Sequence, residues 1–258
     1  MPYASAPDGV RIYYEAAGAG RPVLLITGAF STLADWHDAG IFEGLARERR
    51  VIAMDLRGHG GSERPHDAAS YGWPKNAADA FAVLEAEGAS GADVYGFSMG
   101  GQVVVAMLNG DTSRLRSVAA MGVYVPPPGF EPPAEQLVGR ARLLREGGLT
   151  AATLKDLLLG VDDPEPGPWL DRALAGDPDA YIAEAEGQAS MEDQQMPAEG
   201  PPTLLIAGER DPLAVALCKD VPARRGYVRY RELAGARHLA GIEPGILEVL
   251  REFWAHSS

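Results

Sequence analysis

Ser98 sits in Gly96-Phe97-Ser98-Met99-Gly100, a setting that could turn a hydroxyl into a nucleophile. The chemistry would be acyl transfer, in which a serine oxygen attacks a carbonyl once a base has taken its proton. Gly-x-Ser-x-Gly is common enough by chance that its surroundings have to carry the argument. Here an apolar run over 93–97 precedes the serine, and Gly101-Gln102-Val103-Val104-Val105 follows it as the start of an apolar helix. A strand that turns this sharply into a helix forces the serine into a strained backbone conformation. The strand and helix backbones then pass close together, so the residues two before and two after the serine have to be tiny. Gly96 and Gly100 meet that need, and Gly101 removes a further side chain. The helix N-terminus also aims amide N–H groups at the hydroxyl, which suits a developing oxyanion.

Such a nucleophile needs a base, and the base needs a carboxylate to orient it. The chain has 5 histidines: His37, His59, His66, His238 and His256. His256 lies at the chain end, His37 and His66 lie in loops, and His59 follows a strand directly. His238, in Gly235-Ala236-Arg237-His238-Leu239-Ala240-Gly241, lies between the last strand and the last helix, from where an imidazole can swing over the serine. It is the candidate base. Asp211, in Gly208-Glu209-Arg210-Asp211-Pro212 after an apolar strand, is the candidate acid, with Glu209 the nearest rival and Asp220 the third choice. Pro212 at a first helical position would make Asp211 a helix N-cap as well. For the oxyanion, one donor is the N–H of Met99 and the other comes from Thr27-Gly28-Ala29-Phe30, where Ala29 is favoured over Phe30.

The elements that must position these groups alternate regularly. Strands are predicted over 3–6, 10–15, 21–26, 50–54, 93–97, 117–123, 203–207 and 227–232. Helices are predicted over 38–47, 77–87, 101–109 and 242–254. The run ending Val23-Leu24-Leu25-Ile26 is apolar throughout, as a strand buried on both faces would be. Strand, helix, strand at this spacing predicts an α/β fold with a mostly parallel, eight-stranded, doubly wound sheet. The pattern breaks at Pro126-Pro127-Pro128-Gly129. Short helices follow near 136–144, 151–159, 169–174 and 180–186 before the strands resume. The expected organisation is a core made of residues 1–125 and 201–258, with a helical cap, 126–200, inserted in it.

Composition narrows the function classes. The formal net charge of −13 argues against nucleic-acid partners. The single cysteine, Cys218, cannot form an internal disulfide and reads as a small helix residue. No apolar run reaches the length of a membrane span. Residues 1–8 carry neither the basic region nor the apolar core of a secretory signal, so the expected location is cytoplasmic. The sequence holds no metal-ligand cluster, and Gly18-Ala19-Gly20 precedes a strand instead of following one, so neither a metal nor a cofactor is expected.

Taken together, these stretches resemble the α/β-hydrolase superfamily, in its serine-nucleophile branch of esterases and enol-lactonases. Residues 27–36 resemble the oxyanion loop, 55–62 the Asp-x-x-Gly-His-Gly-x-Ser turn, 96–101 the nucleophile elbow, 208–211 the acid loop, and His238 the base. The order Ser98, Asp211, His238 is that of the superfamily. Thr27 departs from the pattern, standing where the family usually has histidine. The resemblance implies a structural role for His59. It also implies a serine hydrolase; the apolar cap predicts a small to medium, uncharged or weakly polar ester, lactone or thioester as its substrate, and a monomer or homodimer with no membrane partner is expected. Phe30, Trp169 and Leu144 are expected to line the substrate pocket. Two alternatives remain at this stage: acyl transfer, cyclisation or elimination in natural-product assembly, and a non-catalytic receptor for a small ligand.

Overall fold

The computed structural model describes residues 2–127, 134–158, 167–188 and 195–256. Residues 128–133 of the expected linker, and Leu159 at the expected end of a helix, lie outside them. The strands are β1 (Tyr3–Ser5), β2 (Arg11–Ala17), β3 (Pro22–Ile26), β4 (Arg50–Met54), β5 (Ala92–Phe97), β6 (Leu115–Met121), β7 (Thr203–Gly208) and β8 (Val228–Leu233). They form one sheet in the order β1-β2-β4-β3-β5-β6-β7-β8. β1 pairs with β2, and β2 with β4, in antiparallel fashion, and the remaining neighbours are parallel. The sheet is therefore the eight-stranded, mostly parallel one that the sequence predicts.

Helices cover both faces. They are α1 (Ala34–Asp38), α2 (Ile41–Ala46), α3 (Trp73–Ala86), α4 (Met99–Met107), α5 (Ala134–Gly147), α6 (Ala151–Leu157), α7 (Pro168–Leu174), α8 (Pro178–Gly187), α9 (Pro212–Cys218), α10 (Val221–Arg224) and α11 (Ile246–Ala255). The apolar strands feed two cores because successive side chains point to opposite faces. In β3, Leu24 and Ile26 pack with the α3–α4 side, while Val23 and Leu25 pack with α1, α2 and α11. β5 does the same, with Val94 on the first side and Tyr95 and Phe97 on the second.

The structure corrects several predicted boundaries. The helix predicted over 38–47 is two helices, because Gly40 adopts a left-handed φ of 66° between them. α3 begins four residues before its predicted start: Pro74 falls in its first turn, where its missing N–H costs nothing. β6 stops at Met121, before Gly122 with its φ of +69°. The last predicted helix begins instead as a tight turn over His238–Ile242, ahead of α11.

Between β6 and β7, helices α5 to α8 build a small core of their own. Leu144, Leu154, Leu170, Ala173 and Tyr181 pack together there, with Phe30 reaching up from the loop after β3. Among the described residues, no helix is long and apolar enough to cross a membrane.

Candidate active site

The turn from β5 into α4 holds Ser98 at φ 52°, ψ −117°, a conformation a side-chain-bearing residue adopts only when its surroundings enforce it. Those surroundings are close backbones. A Cβ on Gly96 would overlap the Gly100 carbonyl, and one on Gly100 would overlap the carbonyls of Ile26 and Thr27. A Cβ on Gly101 would strike the Val123 side chain. The Ser98 N–H donates to the Met121 carbonyl at 2.7 Å, tying the turn to β6.

Ser98 Oγ lies 2.9 Å from Nε2 of His238, and Nδ1 of the same ring lies 2.7 Å from Oδ2 of Asp211. A carboxylate can only accept, so Nδ1 carries the proton and Nε2 is left to receive one from the serine. Asp211 is 1% exposed and His238 7%. The other Asp211 oxygen, Oδ1, accepts from the Ala214 N–H at 3.2 Å, so the residue caps α9 while it holds the imidazole. Of its rivals, Glu209 is spent on the Gly235 N–H at 2.6 Å. The imidazole sits against the Phe97 ring, with centroids 5.1 Å apart.

Gly122 is a residue that sequence reasoning missed. A Cβ there would lie 2.6 Å from Cε1 and 2.9 Å from Nδ1 of His238, so its bare backbone makes the room the ring occupies. Nothing in the local sequence announces this, because His238 is remote along the chain.

The loop after β3 lies against the same turn: a Cβ on Gly28 would come within 3.1 Å of Ser98 Cβ. Phe30 has φ 61°, and its N–H donates to Nε2 of His59 at 3.1 Å. His59 completes its own bonding by donating from Nδ1 to the Arg57 carbonyl at 3.1 Å. Burial pushes its pKa down to about 4, which keeps the ring neutral. The amide of Phe30 is therefore occupied. Those of Ala29 and Met99 have no hydrogen-bond acceptor among the described residues. Asp55 braces the arrangement, its two oxygens accepting from the Leu33 and Gly61 N–H groups at 2.7 Å each. Burial pushes its carboxyl up to about 6. The Gly-His-Gly turn thus supports the loop, and its histidine is bonded to the loop backbone.

Ser98 and His238 open into a cavity of about 480 Å³. Phe30 and Trp169 line it, and Trp169 is held by donating from Nε1 to Ser31 Oγ at 2.9 Å. Leu144 does not line it. The residue one step earlier, Leu143, faces the cavity, while Leu144 is turned by one helical step into the small core of α5–α8. Trp73, Tyr124, Leu213 and Leu217 also contribute walls that the sequence did not single out. Leu213 and Leu217 stand four apart on α9, which puts them on one face. Cys218, by contrast, is buried beneath that helix and donates to the Val123 carbonyl at 3.2 Å. Burial pushes its thiol up to about 12.

A strained serine at a strand-to-helix turn and a buried histidine–aspartate pair, on a sheet of this order, define a class that comparison with known proteins identifies. The chain belongs to the alpha/beta hydrolase fold family, whose profile matches residues 21–162. It is similar to the 2-hydroxymuconate semialdehyde hydrolase of Pseudomonas sp. (strain CF600), with 36% identity over 115 residues, covering 44% of this chain and 40% of that protein. It is also similar to the non-heme haloperoxidase of Rhodococcus erythropolis, with 38% identity over 104 residues, covering 39% of this chain and 36% of that protein. In both cases the match spans less than half the relative's length. Among solved structures, the bottromycin epimerase BotH superposes with a TM-score of 0.81 at 22% identity, over 100% of this chain and 99% of that one. The enol-lactonase from Burkholderia xenovorans LB400 gives 0.75 at 22% identity, over 99% and 100%. At these identities the two structures speak to the fold.

Proposed function

We propose that this chain is a serine hydrolase that cleaves a small to medium, mostly apolar carboxylic ester, lactone or thioester through an acyl-serine intermediate. One relation carries the reading: Ser98 Oγ is 2.9 Å from a histidine nitrogen whose partner nitrogen is 2.7 Å from a buried aspartate. The hydroxyl oxygen attacks the carbonyl carbon while its proton passes to Nε2 of His238. The imidazolium that forms keeps its Nδ1–H on Asp211, which stabilises the charge without taking the proton. The Met99 and Ala29 amides receive the oxyanion, each worth about 3–4 kcal/mol of barrier. The proton on Nε2 then goes to the leaving alcohol or thiol. A water then gives its proton to the same nitrogen and attacks the acyl carbon, and as the carbon–Oγ bond breaks Nε2 returns the proton to Ser98 Oγ, releasing the acid.

In this reading residues 126–200 form a cap over the core of 1–125 and 201–258, and their helices supply much of the apolar wall. The partner is a small-molecule substrate. A monomer or homodimer suffices, because one chain supplies the whole triad. The chemistry needs no disulfide, and a cytoplasmic location is part of the proposal.

A fluorophosphonate probe tests the reading. It is expected to label the wild-type protein at Ser98 and to leave Ser98→Ala unlabelled. Labelling that survives the substitution removes Ser98 from its role.

A further inference from the structure

The wall of the cavity built by α5 and α8 holds polar groups that the acyl-serine chemistry does not use. Arg140, on α5, is the only lysine or arginine among the described residues lining the cavity. Its Nη2 donates to Oε2 of Glu184 at 3.3 Å and to Oε1 of Gln188 at 3.0 Å. Its Nε and Nη1 have no acceptor among the described residues, and the side chain stays 26% exposed. Gln188 is 6% exposed and also lines the cavity, yet its Nε2 has no hydrogen-bond partner among the described residues. A buried amide left without an acceptor costs on the order of 1–3 kcal/mol, so a ligand that supplies the acceptor recovers that cost.

Glu184 Oε1 is also buried without a partner among the described residues, but Glu184 does not line the cavity; the cavity-lining members, Arg140 and Gln188, bring surplus donors, and the complement of donors is an acceptor. We infer that Arg140 and Gln188 form a subsite, opening into the same cavity as Ser98, for a carboxylate at the far end of the substrate. A guanidinium fork and an amide N–H₂ together match the two oxygens of a carboxylate. Glu184 does not pre-empt the site: it is 2% exposed, and burial pushes its carboxyl up to about 7 in spite of Arg140. When it carries its proton, the charge of Arg140 is left for a ligand. The groups that face Glu184 are Arg140, the neutral ring of His59 at 3.9 Å and the side chains of Tyr71 and Tyr181. The cavity's other charged wall residue, Asp156, is exposed on α6. The substrate is then an apolar ester or lactone with an anionic end, which goes beyond the uncharged compound expected from the sequence.

The inference rests on the acyl-serine reading, and the test separates the two. Mono-4-nitrophenyl esters of glutaric, adipic and suberic acids are compared with their neutral methyl-capped counterparts, and acetylated ω-hydroxy acids with their methyl esters. The readout is the ratio of kcat/KM for charged over neutral ester within each protein, which cancels any loss common to both. At a fitting chain length the wild-type ratio should exceed one. Arg140→Met should lower it by about 10- to 100-fold, Gln188→Leu less, and Arg140→Lys should retain part of it. A wild-type ratio below one at every length in both series, or a ratio indifferent to Arg140→Met, overturns the subsite. If no ester of either kind is turned over, the acyl-serine reading fails by itself. Titration with glutarate, adipate and suberate then decides: binding that depends on chain length and is lost in Arg140→Met supports the subsite, and no binding overturns it.

Discussion

The two sides of the cavity are built on opposite principles. On the sheet side, the side chains that line up with Ser98 are already bonded to one another, and only the Ala29 and Met99 amides and Thr27 Oγ1 have no partner among the described residues. His238 bonds to Ser98 and Asp211, Asp211 also caps α9, and His59 holds the Phe30 amide. On the helical side, Gln188 Nε2 and Glu184 Oε1 are buried without partners among the described residues, and Arg140 shares a single nitrogen between two acceptors. A satisfied network fixes geometry, whereas an unsatisfied one waits for a ligand to complete it. Under the proposed function, the contrast assigns chemistry to the sheet and discrimination to the helices.

The comparison breaks most visibly at Asp211. Asp211→Asn keeps an oxygen for the Ala214 N–H but presents the wrong partner to Nδ1, so kcat should fall about 10⁴-fold with little change in Tm. Asp211→Ala should lose as much activity and in addition about 1 kcal/mol of stability, because the cap goes too. Equal stabilities for the two variants in urea unfolding would deny the double role.

Gly122→Ala comes next. A Cβ 2.6 Å from Cε1 of His238, on a backbone at φ +69°, displaces the imidazole from Ser98. About a 100-fold loss of kcat is expected from such a misplacement. An unchanged kcat would mean that the ring has a second productive position.

On the helical side, adjacent leucines should separate packing from binding. Leu144→Ala should cost about 2–5 kcal/mol of unfolding free energy. Leu143→Ala should cost under about 1 kcal/mol while raising KM for longer acyl chains, because only Leu143 faces the cavity. The reverse pattern would put α5 in a different rotation.

The smallest effect concerns pH. His59 takes up its proton near 6.5 in the unfolded chain and at about 4 when folded. Stability should therefore be lost as pH falls through that window, with a slope that approaches 1.4 kcal/mol per pH unit (about one proton). Asp55 and Glu184, pushed up to about 6 and about 7, act in the opposite sense: folding favours their protonated forms. The difference between wild type and His59→Gln in unfolding series from pH 7.5 to 4.5 isolates the histidine. No difference would mean that His59 is accessible to water.

The sheet was legible because each strand is a short apolar run bounded by turn residues, and the alternation of faces is written into β3 and β5. The turn at Ser98 was legible because its steric demands act within a few residues, and Gly96, Gly100 and Gly101 record them. Ala29 is favoured over Phe30 without the reason being legible: His59, which occupies the Phe30 amide, reaches the loop from 29 residues away. Leu144 was misread because neighbouring leucines on a helix look alike until the helix is docked and one face is assigned to the cavity.

By itself, then, the sequence determined what is local: the strands, the sharp turn, the order of serine, aspartate and histidine. Only the tertiary structure decided what depends on remote partners. It chose the glycine that leaves space for the imidazole, the amide already spent on His59 and the cavity-lining residues, Arg140 and Gln188, whose donors are unpaired among the described residues. The physical reason is range. Backbone strain and side-chain periodicity act over a few residues, whereas hydrogen-bond satisfaction is settled only when distant segments are packed together.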